Sequence, residues 1–200
     1  ISFFTCNHDI ARMTNNLDDT ARRLAYCTIF TLPGVPFLYY GDEIGMKYQG
    51  QLTSKEGGFG RTGSRTPMQW SKGKNLGFSE APASKLYLPV DKSGDAPTVA
   101  QCEKDKDSIY HTVKDIIAIR HAEQDLQSDG PFEVIYAEKQ KYPFIYRRGK
   151  CIVFVNPSAK ETEVPYSGKA GQGLYAVGKT QFANGKVKMG GQSFLLMKDE

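Results

Sequence analysis

The sequence is poor in the residues that mark several classes of protein. It has three histidines and four cysteines, Cys6, Cys27, Cys102 and Cys151. No two cysteines form a C-x-x-C pair, and no histidine stands at a spacing that would complete a zinc site. A metal centre therefore gets no support, and no cofactor is implied. Cys6, Cys27 and Cys151 lie among apolar residues, where a reduced thiol behaves as a small hydrophobe. That usage favours a reducing, cytoplasmic compartment. Long apolar runs are also missing. The longest candidate, residues 29–40, is interrupted by Pro33, Gly34 and Pro36, which excludes a membrane-spanning helix. Blocks of like charge are absent too. The net charge is +4 over 200 residues, with Lys and Arg scattered among Asp and Glu, so nothing points to nucleic acid. The chain opens on Ile1-Ser2-Phe3-Phe4, with neither Met nor a charged-then-apolar leader. An opening inside β-type sequence suggests a piece of a longer polypeptide.

What is present has a strand–helix–strand rhythm followed by a change of texture. Residues 1–6 read as a short buried strand that ends in the polar cluster Asn7-His8-Asp9. From Leu17 the pattern turns helical: Leu17, Ala21, Leu24, Ala25, Thr28, Ile29 and Leu32 recur every three or four residues, with Asp18, Asp19, Arg22 and Arg23 between them. Asp18 and Asp19 suit the positive end of the helix dipole, and Pro33-Gly34 stops the helix. Residues 35–40 are continuously apolar, as in a strand covered on both faces, with Pro36 at its start. A long stretch of little periodicity runs from Gly41 to about Asp107, and stretches of that length tend to be functional. A second helix is predicted over 108–123.

From Gly130 short β-type runs (132–138, 144–147, 151–155 and 193–197) are separated by turns such as Arg148-Gly149-Lys150 and Ala183-Asn184-Gly185. They predict an antiparallel sandwich. The domain boundary is expected near Ser128-Asp129-Gly130, giving domains 1–128 and 129–200.

Three segments carry a family resemblance. Phe4-Thr5-Cys6-Asn7-His8-Asp9 resembles the F-x-x-N-H-D segment of the α-amylase family of glycoside hydrolases. Gly34-Val35-Pro36-Phe37-Leu38-Tyr39-Tyr40-Gly41-Asp42-Glu43 is similar to that family's G-x-P-x-x-x-x-G-D/E-E segment, one helix later. Arg65-Thr66-Pro67-Met68-Gln69-Trp70 resembles the following loop in α-glucosidases, oligo-1,6-glucosidases and trehalose synthases. The resemblance is close over about the first half of the chain and only general beyond it. It implies an α/β then all-β fold: the C-terminal part of a (β/α)8 TIM barrel, from strand seven to helix eight, with an antiparallel β-sandwich after it.

The resemblance also implies roles. Barrel enzymes carry catalytic groups at the C-terminal ends of strands. Retaining glycosidases need a nucleophilic carboxylate and a protonated acid about 5 Å apart. In this family a third carboxylate grips the sugar ring, and the motif maps that role of transition-state stabiliser onto Asp9. His8 would hydrogen-bond the same sugar. Arg12 matches the N-H-D-x-x-R form and would approach the sugar or Asp9. Asn7 either braces the strand end or touches substrate. Arg65 either lines the pocket entrance or lies on the surface. Asp42 and Glu43 are expected to support the barrel rim, and Trp70 to anchor the long loop or stack on a sugar.

The family's nucleophile, in a G-[FL]-R-x-D segment, and its general acid both precede the N-H-D segment by many residues, and neither is among these 200. The partners expected are therefore an α-linked gluco-oligosaccharide and the missing N-terminal part of the barrel. The isolated chain is expected to be inactive and to fold poorly alone. The parent reading is a retaining hydrolase of α-1,4 or α-1,6 links in short oligosaccharides. Trehalose synthase-type transfer and a non-catalytic α-glucosidase-like subunit stay open. The β-rich remainder offers no exposed aromatic platform of the kind a carbohydrate-binding module displays.

Overall fold

The computed structural model describes residues 1–53 and 59–199. In chain order its main elements are β1 (Ser2–Phe4), α1 (Asp19–Thr31), β2 (Val35–Phe37), α2 (Val99–Lys104), α3 (Ile109–Ala122), β3 (Glu133–Tyr136), β4 (Phe144–Arg148), β5 (Cys151–Asn156), β6 (Thr162–Pro165), β7 (Gln172–Val177), β8 (Thr180–Ala183), β9 (Lys186–Met189) and β10 (Ser193–Lys198). The chain forms two compact units. One comprises Ile1–Phe3, Arg23–Pro36 and Lys114–Glu200; the other comprises Phe4–Arg22 and Phe37–Val113.

Helix α1 begins where Asp18 caps it, its Oδ1 accepting from the amide of Ala21 at 2.8 Å, and Asp19 adds an anion to the first turn. Its buried face is Leu24, Tyr26, Cys27, Phe30 and Thr31. The far end is closed by a side chain from α3. Arg120 Nη1 donates to the carbonyls of Phe30 (2.6 Å) and Leu32 (3.0 Å), and Nη2 donates to Gly34 (2.7 Å). These carbonyls have no partner within the helix, so a guanidinium fork supplies one. Gly34 then turns the chain into β2 at φ +93°; a Cβ there would lie 2.3 Å from the carbonyl oxygen of Ile1. Only glycine fits.

Strands β1 and β2 are hydrogen-bonded neighbours in a two-stranded sheet. The buried strands expected at both places are not found: Phe4 and Phe37 are each 55% exposed. Two strands of three residues cannot cover each other's faces, and no further strand of this sheet occurs among the described residues.

The stretch expected to be irregular contains α2, whose cap is the Thr98 hydroxyl accepting from the amide of Gln101. Six residues are too few to show a helical period. Its Val99 and Cys102 pack with Ile44, Met46, Met68 and Tyr110 in the core of the second unit.

In the first unit, a five-stranded sheet of order β3-β4-β5-β10-β7 faces a three-stranded sheet of order β6-β9-β8. Every pairing within these two sheets is antiparallel. Between them lies a core built on Ile145, Ile152, Phe154, Val187, Met189 and Met197. The sandwich expected from Gly130 onward is present. Strands β6 to β9 were not legible: β6, β8 and β9 have only four residues each, and β7 carries Gly173 within it. The Ala183-Asn184-Gly185 turn joins β8 to β9 with Asn184 and Gly185 both at positive φ, as a tight hairpin requires. A second buried guanidinium, Arg148, ties the sandwich to the segment before it. Its nitrogens donate to the carbonyls of Thr31 (2.8 Å), Gln127 (2.6 Å) and Pro131 (2.6 Å).

Candidate active site

The residues just past β1 and the loops that meet them lie wholly in the second unit. Asn7 shapes the turn. Its Oδ1 accepts from the amides of Asp9 (2.8 Å) and Ile10 (3.2 Å), an Asx turn that fixes the backbone on either side of Asp9.

Asp9 is held by three cationic or potentially cationic neighbours. Arg61 Nη1 and Arg65 Nη2 each donate to its Oδ1 at 3.0 Å. His8 Nε2 lies 3.3 Å from Oδ2. Arg65 also donates through Nε to the carbonyl of His8 at 2.9 Å, so one guanidinium grips both the backbone and the carboxylate. The cluster faces solvent: the Asp9 side chain is 45% exposed and that of His8 63%. Desolvation raises the Asp9 carboxyl, but the Arg61 hydrogen bond, the charge of His8 and the Arg65 hydrogen bond outweigh it and leave it below its ordinary value of 3.8. An ionised acceptor at the tip of a strand can receive two hydroxyl groups of a polyol, with charge-assisted strength.

Arg12 is placed elsewhere. It is fully buried. Nη1 donates to Asp42 Oδ1 (2.8 Å) and to the carbonyl of Tyr40 (2.7 Å), and Nη2 donates to the carbonyl of Ser64 (3.1 Å). The guanidinium carbon lies 5.0 Å from the ring centroids of both Tyr39 and Tyr40. Arg12 is therefore not at the surface beside Asp9. It locks the end of β2 to the loop that carries Arg61 and Arg65, and Ser64 adds a bond from its hydroxyl to the carbonyl of Ile10 (2.6 Å).

Asp42 is buried as the anionic partner, its second oxygen taking a hydrogen bond from the Cys6 thiol at 2.7 Å. Burial and the Asp42 carboxylate push that thiol well above its ordinary range, so Cys6 is an inert donor. Gly41 makes the approach possible at φ +82°, where a Cβ would meet Met46 Sδ at 2.2 Å. Glu43 differs from its neighbour. Desolvation raises its carboxyl above 4.5, and its Oε2 is buried without a hydrogen-bond partner. Trp70 is 50% exposed, so it is not a buried anchor for the long loop.

Sequence reasoning singled out Asp9, His8, Asn7 and Arg65, which the structure brings together, and Arg12, which it does not. Arg61 was missed. Its signal was its place four residues before Arg65 in a Gly-rich segment. No group of three or more potential metal ligands occurs among the described residues.

The chain resembles known proteins along most of its length. It is 28% identical over 201 residues to the probable oligo-1,6-glucosidase 2 of Bacillus subtilis (strain 168), covering 82% of this chain and 35% of that protein. It is 45% identical over 64 residues to the trehalose synthase/amylase TreS of Mycolicibacterium smegmatis, covering 32% of this chain and 10% of that protein. The chain thus spans about a third of the length of curated relatives that it matches broadly. A crystal structure of a trehalulose synthase MutB mutant with Tris superimposes with a TM-score of 0.79 at 20% identity, over 98% of this chain and 43% of that one. At that identity the likeness shows the fold: part of a (β/α)8 barrel followed by a β-sandwich. Residues 1–129 match the family model described as "Alpha amylase, catalytic domain". On that match, which covers more than half of the sequence, the chain belongs to the α-amylase family.

Proposed function

We infer that this chain is the C-terminal portion of a retaining glycoside hydrolase that cleaves α-1,4 or α-1,6 glucosidic bonds in short oligosaccharides. Asp9 is its transition-state stabiliser. The observation that carries the reading is the exposed Asp9 carboxylate, kept ionised by Arg61 and Arg65 beside His8. Vicinal ring hydroxyls donate to its oxygens as the ring flattens toward the oxocarbenium-like transition state, and the interaction tightens because charge develops there. His8 and Arg65 contact the same sugar from either side. Asn7 and Arg12 act through the backbone, the one fixing the turn around Asp9 and the other fixing the arginine loop.

The remaining strands of the barrel, on this reading, supply the nucleophile and the acid. Charge supports it. Two guanidiniums face one carboxylate in the cluster, and a second, nucleophilic carboxylate arriving opposite would balance them. The division into a barrel portion, 1–128, and a β-domain, 129–200, belongs to the same proposal; the family match ends at residue 129. The 45% identity with a trehalose synthase/amylase over 64 residues favours glucosyl transfer to a retained sugar as a second reading.

The test is turnover of a chromogenic α-glucoside by the chain alone and by the chain joined to the upstream barrel segments. Activity only in the joined form is expected. Turnover by the 200 residues alone overturns the division of labour, and product analysis with maltose separates hydrolysis from transfer.

A further inference from the structure

Alternate residues of a strand share a face, so the face of β4 that carries Ile145 into the sandwich core goes on to carry Arg147. Arg147 stands directly opposite Ile152 of β5 and Glu133 of β3, and Ile145 and Ile152 are both fully buried. A guanidinium and a carboxylate thus occupy positions that continue an apolar core. The sandwich does not close over them. A cavity of about 460 Å³ opens there, lined by Glu133, Ile135, Arg147, Pro165, Tyr166 and Ser167 among others.

The lining is specific in its chemistry. Arg147 Nη1 donates to Asp199 Oδ2 at 2.9 Å and to the carbonyl of Gly149 at 3.4 Å. Its Nε and Nη2 have no partner among the described residues, and neither has the Glu133 carboxylate. Tyr166 is only 7% exposed and is wedged against Phe154 at 5.1 Å between ring centroids. Gly168 lies over it so closely that a Cβ would come within 2.5 Å of the phenol oxygen. Ile135 and Pro165 present exposed apolar surface beside the charged pair.

We propose that this cavity is a second carbohydrate-binding site, which takes a neutral mono- or oligosaccharide. Asp199 already pairs with Arg147, so the Glu133 carboxylate leaves the site with one net negative charge, which repels anionic ligands and favours neutral ones. Together Glu133 and Arg147 offer an anionic acceptor and planar donors side by side, the complement of adjacent hydroxyls on a sugar ring. Ile135 and Pro165 take up the C–H face, and no aromatic platform is required. The volume falls within the range of small-ligand sites. The site uses no residue of the Asp9 cluster and does not depend on that cluster's role.

The test is a titration of the ¹⁵N-labelled chain, joined to its upstream barrel segments, with maltotriose. Saturable shifts are expected at the amides of Ile135, Ser167, Gly168 and Gly185. Glu133→Ala, at an exposed position, should weaken that response at least about tenfold, because a charge-assisted hydrogen bond is lost. Ile135→Ser should weaken it about threefold, and Asp9→Asn should leave it unchanged. An absence of shifts at these amides overturns the proposal, as does wild-type binding by folded Glu133→Ala or loss of the response in Asp9→Asn. Tighter binding of glucose 6-phosphate than of glucose overturns the neutral ligand.

Discussion

Arg12 and Asp42 form an ion pair from which water is excluded: Nη1 lies 2.8 Å from Oδ1, with the two side chains 0% and 2% exposed. Breaking one half of such a pair leaves the other charged and unmatched, which costs about 3–5 kcal/mol. Asp42→Asn also weakens the acceptor that the Cys6 thiol uses. Urea denaturation of Asp42→Asn should show a loss of about 3 kcal/mol. The double variant Arg12→Met/Asp42→Leu should lose less than the two single variants summed. Strict additivity would mean that the two side chains do not act as a unit.

A second prediction concerns Arg148, whose guanidinium serves carbonyls on both sides of the segment leading into β3. All the hydrogen bonds it donates go to backbone carbonyls, and desolvation lowers its pKa from the ordinary arginine value. Arg148→Met keeps the bulk and removes every donor. Each buried carbonyl left unmatched costs about 1–3 kcal/mol, so a loss of about 3 kcal/mol or more is expected. A thermal midpoint within a degree of the parent would show that the carbonyls find other partners.

These two arginines also show where the sequence stops being informative. The three family segments, the two long helices and four of the sandwich strands could be read, because each is a local pattern of period or motif. Asn7, His8, Asp9 and Arg65 could be read for the same reason. The burial of Arg12 could not, because its partners Asp42 and Ser64 are 30 and 52 residues away and an arginine near a motif looks like a ligand contact. Arg61 was hidden by the weak periodicity of its loop. Helix α2 and strands β6, β8 and β9 were too short to raise a signal, Gly173 broke the pattern of β7, and the exposure of β1 and β2 depends on what lies beside them rather than on their own residues.

Glu43 gives a pH-dependent prediction. Desolvation raises its carboxyl above 4.5 in the folded state. The native state therefore holds that proton to higher pH than the unfolded chain does, and stability falls as pH rises from about 4.5 through the folded value. Glu43→Gln removes the charge that burial disfavours. It should stabilise the chain at pH 7 and make no difference at pH 3. Equal stability of parent and variant at both pH values would mean that Glu43 is solvated when ionised.

Gly34 supplies a backbone prediction. At φ +93°, with the Ile1 carbonyl 2.3 Å from any added Cβ, alanine meets both torsional strain and a clash. Gly34→Ala should cost about 1–3 kcal/mol, and urea midpoints measure it. An unchanged midpoint would mean that the turn into β2 relaxes freely.

The most direct test of the account is the turnover number of Asp9→Asn in the chain joined to its upstream barrel, with circular dichroism confirming the fold. Asparagine keeps the shape and removes the anion that the sugar hydroxyls are proposed to meet. The predicted result is a fall in kcat of about 10³-fold on a chromogenic α-glucoside, with an unaltered spectrum. A kcat within about threefold of the parent would contradict it, since the loss of a transition-state contact is far larger than that.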